Sequence, residues 1–227
     1  DSMVPAWDEI IEGSPQEMDG ALLREILARV FHCVPTDSHV EKLNCAFLST
    51  LPDGGTRAVA TDGHRLAICD FESLQSNLPA AGLLVPPASI KEIMRLVHDG
   101  GSVTVTPGHN MARFSAGPET ITTKLVEGNY LDYMRVIRFE AARSVRLPRL
   151  AFLEAAQNMD ALLTGNKLAK LILDEKGAHL ETSRDRLASS ETFAEQPHSD
   201  IPVTGFNTGY LLDALKAFRG SDIIMEY

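Results

Sequence analysis

A motif recurs along this chain at a spacing the size of a domain, and this repeat constrains the fold more than any other feature. A strand pattern, a turn, a helical pattern, a Gly-Ser pair and a second strand pattern run from Leu83 to Val105 and again from Val203 to Met225. The two Gly-Ser pairs stand about 119 residues apart, which is much longer than a solenoid repeat. The sequence therefore predicts two copies of one folding unit.

Helical periodicity supports two helices in each copy. Four segments place apolar residues at i, i+3, i+4 and i+7, the pattern of an amphipathic helix. The predicted buried positions are Leu23, Ile26, Leu27 and Val30; Ile90, Ile93, Met94 and Val97; Phe152, Ala155, Ala156 and Met159; Leu211, Ala214, Leu215 and Phe218. Helix starts are indicated by Asp19, by Pro87 with a Ser89-x-x-Glu92 capping box, and by Pro148.

The segments around these helices read as strands. Strand patterns separated by turn residues occupy 40–50, 56–61, 65–71, 82–85, 102–106, 111–116 and 120–126. Such spacing is typical of antiparallel sheets connected by hairpins, so the fold class is α+β. We expect a leader from a preceding domain at 1–13, a first domain at 14–138, and a second domain at 139–227 that is incomplete at its C-terminus.

Composition excludes several classes of protein. The net charge of −10 argues against indiscriminate attraction to nucleic acid, although a local basic face remains compatible with it. No apolar run is long enough to span a bilayer and no signal peptide is recognisable, so we expect a cytoplasmic protein without membrane partners. Cys33, Cys45 and Cys69 lack C-x-x-C spacing, which favours reduced, mostly buried thiols and predicts neither a metal site nor a cofactor.

The segment from Ala58 to Ala67 is the most distinctive local motif. Alternating residues lead into Asp62-Gly63, a dipeptide typical of tight hairpin turns. His64 and Arg65 are then expected to leave the corner as exposed groups beside Leu66, a combination suited to binding a short peptide or an acidic ligand. The alternative interpretation is an ordinary hairpin with solvated polar residues at its tip.

The run Thr61-Asp62-Gly63-His64-Arg65-Leu66-Ala67 resembles the bacterial β sliding clamp, the β subunit of DNA polymerase III. The resemblance covers nearly the whole chain and corresponds to the second domain and most of the third. Further motifs carry it: Val85-Pro86 before Ile93-Met94-Arg95; Lys124 to Tyr130; Asp132-Tyr133 with Arg135-Val136; and Gly205-Phe206-Asn207 with Tyr210 to Asp213.

The resemblance implies repeated processivity-clamp domains that encircle duplex DNA without reading its sequence. It implies a processivity factor without catalysis of its own. The partners that it implies are DNA polymerase III, the clamp loader and repair polymerases, which in the family insert short linear motifs into a pocket between the two domains. The matching peptide-binding positions are Leu43, Thr61, Gly63, His64, Arg65, Leu66, Leu131, Arg135, Val136, Asn207 and Tyr210. The alternative interpretations are core packing for Leu43 and Val136, a structural turn role for His64, and capping of carbonyls by Arg65 and Arg135.

The resemblance also implies that one face of the helices is turned towards DNA. The candidate DNA-facing residues lie on the helices away from the apolar stripes: Arg24, Arg29, Lys91, Arg95, Lys216 and Arg219. The family assembles head to tail as a homo-oligomer through its first and third domains. We therefore expect this chain alone to be monomeric or weakly associated.

Two other functions compete with a DNA clamp. The chain could be a clamp-derived module that binds peptides but does not encircle DNA. It could also be a hydrolase that uses Asp62 and His64 as an acid/base pair, with a metal bound by Asp132 or another carboxylate. No P-loop, H-E-x-x-H or G-x-S-x-G motif supports the second alternative.

Overall fold

The computed structural model describes residues 11, 13–137, 143–163, 167–184, 187–194 and 202–227. The chain divides into two compact units, Asp1–Asp132 and Tyr133–Tyr227, called unit 1 and unit 2 below. The domain boundary predicted at 138/139 and most of the leader predicted at 1–13 lie outside the described residues.

Unit 1 combines two four-stranded antiparallel sheets with two helices. One sheet has the strand order β4-β3-β2-β5 and the other β1-β6-β7-β8. The strands are β1 (Gln16–Asp19), β2 (Ala46–Thr50), β3 (Thr56–Thr61), β4 (Leu66–Phe71), β5 (Leu83–Val85), β6 (Ser102–Pro107), β7 (Met111–Ala116) and β8 (Glu119–Lys124), and the helices are α1 (Gly20–Val30) and α2 (Pro87–Leu96). Helix α1 contacts β3 and β4, whereas α2 contacts β7 and β8.

Unit 2 repeats this order of elements. Its larger sheet has the order β12-β11-β10-β13, and a smaller sheet pairs β14 with β9. The elements are α3 (Met134–Ile137), β9 (Ser144–Pro148), α4 (Arg149–Leu162), β10 (Leu168–Asp174), β11 (Gly177–Arg184), β12 (Leu187–Ala194), β13 (Thr204–Asn207), α5 (Thr208–Ala217) and β14 (Asp222–Glu226). Helix α4 corresponds to α1 and α5 corresponds to α2, so the predicted α+β duplication is confirmed.

In each unit, the Gly-Ser pair accepts a backbone hydrogen bond from the first residue of a helix. In unit 1 the N–H of Gly20, at the start of α1, donates to the carbonyl of Gly101 over 2.7 Å. In unit 2 the N–H of Arg149, at the start of α4, donates to the carbonyl of Ser221 over 2.8 Å. The repeated pair therefore stands where the strand after each unit's second helix meets the start of its first helix.

Helix α1 follows its sequence pattern closely. Leu23, Ile26, Leu27 and Val30 are all buried, because residues three and four apart share one face of a helix. The side chain of Asp19 accepts a hydrogen bond from the N–H of Leu22 over 2.9 Å and so caps the helix as predicted.

Two helix predictions are wrong in detail. Helix α2 begins at Pro87, but its N-cap Pro86 makes no side-chain capping bond, and Ser89 instead bonds the hydroxyl of Thr123 over 2.5 Å. Helix α5 ends at Ala217, so Phe218 lies beyond the helix and is 53% exposed. Leu212 is buried on α5 in addition to the predicted Leu211 and Leu215.

One strand prediction is also too long. The pattern at 40–50 forms a strand only from Ala46, because Glu41–Leu43 form one turn of 3-10 helix. The side chain of Asn44 holds this loop in place. Its Oδ1 accepts the backbone N–H of Ser38 over 2.8 Å, and its Nδ2 donates to the carbonyl of Ser38 over 2.9 Å. Local side-chain bonds of this kind compete with a β ladder.

The three cysteines are free thiols. Cys33 and Cys45 are buried and Cys69 is partly buried. Burial raises the pKa of the Cys45 thiol to about 12, because a low-dielectric environment disfavours the thiolate. Cys45 therefore behaves as a small core residue.

Candidate functional site

The corner between β3 and β4 carries five of the predicted peptide-binding residues. Thr61 pairs with Leu66 in the β ladder, so four residues connect the two strands, whereas the predicted strand bounds left three. Gly63 adopts a φ of +87° with open space around it, a conformation that side chains with a Cβ rarely tolerate. His64 is exposed at the tip of this loop.

Asp62 organises the corner through its carboxylate. One oxygen accepts the backbone N–H groups of His64 and Arg65 over 2.9 and 3.0 Å. The other accepts Nε of Arg65 over 3.0 Å. Burial of the carboxyl group favours its neutral form, but the hydrogen bonds from His64 and Arg65 outweigh burial and lower the pKa of Asp62 from its ordinary value.

Arg65 is not the exposed cation that the sequence predicted. Its side chain is only 19% exposed, and Nη2 donates to the carbonyl of His32 over 2.5 Å. His32 lies in a turn of 3-10 helix directly after α1. Arg65 therefore ties the corner to the end of α1, and Thr61, which is buried, closes the loop by donating its hydroxyl to the carbonyl of Arg65 over 2.7 Å.

Leu43 and Leu131 belong to two other segments of unit 1. Leu43 is partly buried at the end of the 3-10 turn, where its N–H donates to the carbonyl of Val40 over 2.9 Å. Leu131 is partly buried and follows Tyr130, whose ring stacks on Phe47 at a centroid distance of 5.1 Å. The stacked ring fixes the path of the chain just before Leu131.

Unit 2 holds the other four predicted peptide-binding residues in two places. Arg135 and Val136 lie on the single turn α3, where Val136 is 68% exposed and is therefore not a core residue. Asn207 and Tyr210 lie at the start of α5, and Tyr210 is 37% exposed. The Asn207 side chain caps this helix by accepting the N–H groups of Gly209 and Tyr210 over 3.0 and 3.3 Å.

Two cavities of unit 1 lie away from the predicted residues. Their volumes are about 710 and 430 Å³, and they share Ala81, Gly82 and His109 as lining residues. Neither cavity is lined by the corner, by Leu43 or by Leu131. These two cavities therefore do not coincide with the predicted peptide-binding residues of unit 1.

Two of the six cations predicted to face DNA are paired on their own helices. Nη2 of Arg29 lies 2.5 Å from Oε1 of Glu25, and its guanidinium lies 5.1 Å from the centre of the Phe71 ring. Nη1 of Arg95 lies 2.8 Å from Oε2 of Glu92. These carboxylates partly neutralise both cations before any phosphate approaches.

The other four cations are exposed. Arg24 lies on α1, and Lys91 lies on α2 with its ammonium 5.7 Å from the centre of the Phe31 ring. Lys216 lies on α5, whereas Arg219 follows the end of that helix. The prediction that all six residues belong to helices is therefore wrong for Arg219.

The hypothesis of an Asp62/His64 acid/base pair gains little from this geometry. The Asp62 carboxylate is bonded to Arg65 and to the backbone N–H of His64, and its lowered pKa makes it a weaker base. Within the described part of the chain, no group of three or more His, Cys, Asp and Glu side chains could hold a metal ion. None of the described helices combines the length and apolar character needed to cross a membrane.

Several missed features involve residues distant in sequence. The carbonyl of His32 as the partner of Arg65 could not be read from local patterns. The role of Asp62 has a local signal, since Asp side chains commonly accept N–H groups two and three residues ahead in turns. A network joining Asp160, Lys167 and Thr208 in unit 2 was also missed.

Comparison with known proteins places these features in a family. Residues 17–132 match the family described as DNA polymerase III beta subunit, central domain. The beta sliding clamp of Escherichia coli strain K12 is 33% identical over 183 residues, which cover 74% of this chain and 47% of that protein. The beta sliding clamp of Caulobacter vibrioides strain NA1000 is 28% identical over 204 residues, which cover 87% of this chain and 55% of that protein.

A solved structure agrees with these matches. The crystal structure of the DNA polymerase sliding clamp from Pseudomonas aeruginosa superposes with a TM-score of 0.85 at 27% sequence identity. The superposition covers 99% of this chain and 63% of that one. This chain spans about half the length of the curated relatives that it matches.

Proposed function

We propose, because this chain belongs to the bacterial β sliding clamp family, that it supplies domains of a DNA sliding clamp. The proposed clamp tethers the replicative polymerase to duplex DNA and acts without catalysis of its own. The observation that carries this proposal is the family match at 17–132. The duplicated units, each with two long helices and two antiparallel sheets, support it.

Encirclement is compatible with an acidic chain. A closed ring holds DNA by topology, so it needs only weak and non-specific phosphate contacts. Arg24 and Lys91, exposed on α1 and α2, are the strongest candidates for such contacts in unit 1. Arg29 and Arg95 are expected to contribute less because Glu25 and Glu92 already partly neutralise them.

A circular DNA substrate tests this proposal. A clamp of the relatives' full length that contains these two units, incubated with clamp loader and ATP, is expected to remain on nicked circular duplex and to be released once the circle is cut. A module that binds peptides without encircling DNA would bind a peptide in solution but would not be retained on circles. That outcome would overturn the proposed clamp function and favour a peptide-binding module.

The second part of the proposal concerns partner peptides. We propose that short linear motifs with apolar anchors bind through the predicted residues, which lie at the corner of unit 1 and, in unit 2, on α3 and at the start of α5. His64 in unit 1 and Val136 and Tyr210 in unit 2 are exposed and offer ring and aliphatic surface for such anchors. Thr61 and Arg65 are assigned the task of holding the corner in shape, because their polar groups bond within it and to His32.

Matched valines give a direct test of peptide binding. Val136 and Val40 are both strongly exposed, at 68% and 55%, so a serine at either position should leave folding intact. A fluorescein-labelled nine-residue peptide with leucine and phenylalanine anchors is expected to bind the Val136→Ser variant at least about five-fold more weakly than wild type. The Val40→Ser variant should retain wild-type affinity in the same anisotropy titration.

Two further variants probe the polar part of the proposed site. Arg135→Ala is expected to lower the affinity for the same peptide, because the guanidinium can donate to peptide carbonyls or acidic groups. His64→Ala should also lower the affinity for the peptide. His109→Ala, which changes an exposed histidine elsewhere in unit 1, should leave this affinity unchanged. Equal affinities for wild type and for the Val136, Arg135 and His64 variants would remove this surface as the binding site.

A further inference from the structure

A closed set of three hydrogen bonds fixes the start of α5. The hydroxyl of Thr208 donates to Oδ1 of Asp160 over 2.6 Å, and Nζ of Lys167 donates to Oδ2 over 2.8 Å. The backbone N–H of Thr208 donates to the carbonyl of Lys167 over 2.8 Å. The three residues come from the end of α4, the residue before β10 and the first residue of α5.

The network lies where a small displacement would move candidate binding residues. Thr208 is fully buried and stands between Asn207, which caps the helix, and Tyr210, which is partly exposed. Fixing Thr208 therefore fixes the direction in which the first turn of α5 presents both neighbours. Bonds to a charged carboxylate are stronger than bonds between neutral groups.

The ionised form of Asp160 is favoured. Its hydrogen bond from Lys167, followed by that from Thr208, lowers the pKa of this carboxyl group. Lys216, on the same helix as Tyr210, adds a smaller effect of the same sign. The carboxylate thus remains available to both donors near neutral pH.

The duplicated helix in unit 1 begins without such a network. The strand pairs Val85 with Ala46 and Phe206 with Ala169 are equivalent in the two units, which makes Pro87 the counterpart of Thr208. Pro87 has neither a hydroxyl nor a backbone N–H, and α2 has no side-chain cap. The polar network is therefore confined to the copy whose helix start carries two proposed peptide-binding residues.

We infer that Asp160 is a positioning residue for the proposed peptide site, holding Asn207 and Tyr210 in their binding orientation through Thr208. This inference rests on the proposed function. Asp160 itself need not touch the peptide. The comparison between the two copies argues for a role beyond starting a helix, because unit 1 starts the equivalent helix at Pro87 without a side-chain cap and with a neutral Ser89–Thr123 bond in its first turn.

A double-mutant cycle on the intact chain tests the inference, with the same fluorescein-labelled peptide as probe. Asp160→Asn places an amide beside the Lys167 ammonium, and Thr208→Val removes the hydroxyl while keeping the shape of the side chain. Each change is expected to weaken peptide binding about five-fold, and the double variant should be little weaker than either single variant because both act through one bond. Thr208→Ser, which keeps the hydroxyl, should bind within about two-fold of wild type.

Two controls separate positioning from general damage. Asp174→Asn makes the same chemical change in a turn of the same unit, where Asp174 accepts the N–H of Lys176, and it should leave peptide affinity unchanged. Hydrogen exchange should quicken at the amides of Gly209 and Tyr210 in the Asp160→Asn variant while the amides of α1 stay protected.

The outcomes distinguish this inference from the proposed function. A wild-type chain that fails to bind the peptide would overturn both. A wild type that binds, with folded Asp160→Asn and Thr208→Val variants of equal affinity, would overturn the positioning role alone. If the losses in affinity of the two single variants add up in the double variant, Asp160 and Thr208 act separately, and the positioning role of Asp160 through Thr208 would also be overturned.

Discussion

At the scale of single residues, Asp62 is the organising group of the β3–β4 corner. Its carboxylate accepts two backbone N–H groups and the Arg65 side chain, and Arg65 reaches on to His32. The bond from its backbone N–H to Asp62 holds His64 at an exposed position. The corner is a preorganised surface, and preorganisation would lower the entropy lost on binding of the proposed peptide.

Replacing Asp62 by alanine should therefore destabilise unit 1 in a pH-dependent way. At neutral pH the loss is expected to be about 1–3 kcal/mol in the free energy of unfolding, as for bonds to a charged group. Because the folded-state pKa of Asp62 is lowered, its contribution is present above the ordinary carboxyl pKa and is lost as pH falls through the lowered value. Urea unfolding of wild type and Asp62→Ala at several pH values measures this difference.

A matched aspartate checks the reason for that effect. Asp53 accepts the N–H of Gly55 over 2.9 Å in the β2–β3 turn. Asp53→Ala should cost less than Asp62→Ala, since Asp62 also binds Arg65. A difference between wild type and Asp62→Ala that stays constant down to strongly acidic pH would contradict the assigned role.

At the scale of elements, each long helix stabilises its unit by burying one face. On α4 the buried residues are Phe152, Ala155, Ala156 and Met159, as the periodic pattern predicts. On α5 the pattern continues to Phe218, but the helix ends first and Phe218 remains exposed. The end of the helix, set by packing and by the turn towards β14, thus decides which apolar residue joins the core.

Leu215 and Phe218 should respond very differently to truncation. Leu215 is 1% exposed, so Leu215→Ala is expected to cost about 2–4 kcal/mol through lost burial and a residual cavity. Phe218→Ala should cost less than about 0.5 kcal/mol because the ring is largely solvated. Urea denaturation curves of the two variants provide the measurement, and a larger loss for Phe218→Ala would show that the ring is buried after all.

At the scale of the whole molecule, two copies of one topology carry separate hydrophobic cores. The sheet orders β4-β3-β2-β5 and β12-β11-β10-β13 are equivalent. The buried residues fall into two clusters, one drawn from unit 1 and the other from unit 2. Neighbouring residues within a cluster are expected to couple energetically, whereas residues from different clusters should act nearly independently.

Core truncations should therefore have effects confined to one unit. Leu23→Ala is expected to speed hydrogen exchange in α1 and β3, and Phe152→Ala in α4 and β11, with the amides of the other unit unchanged. Hydrogen exchange followed by mass spectrometry resolves these segments. Faster exchange throughout the chain after either substitution would show that the two cores unfold as one.

Much of the fold was predictable because its signals are local. Asp19 as a helix cap and the buried stripe of α1 follow from bonds and contacts among near neighbours. The strand β1 was not predicted, since Gln16–Asp19 is short and polar and is stabilised by pairing with β6. The candidate site was predicted as a set of residues, with carbonyl capping by Arg65 among the alternatives, but the partner His32 was not predicted because it belongs to another segment.

The sequence by itself determined the α+β class, the duplication and the family, since periodicity, turn residues and ordered motifs are carried by the order of residues along the chain. Only the tertiary structure decided that Arg65 binds the carbonyl of His32, 33 residues away, and that Asp160 meets Thr208, 48 residues away. The physical reason is range: propensities act between neighbours, whereas burial and hydrogen-bond partners arise only when distant segments pack together.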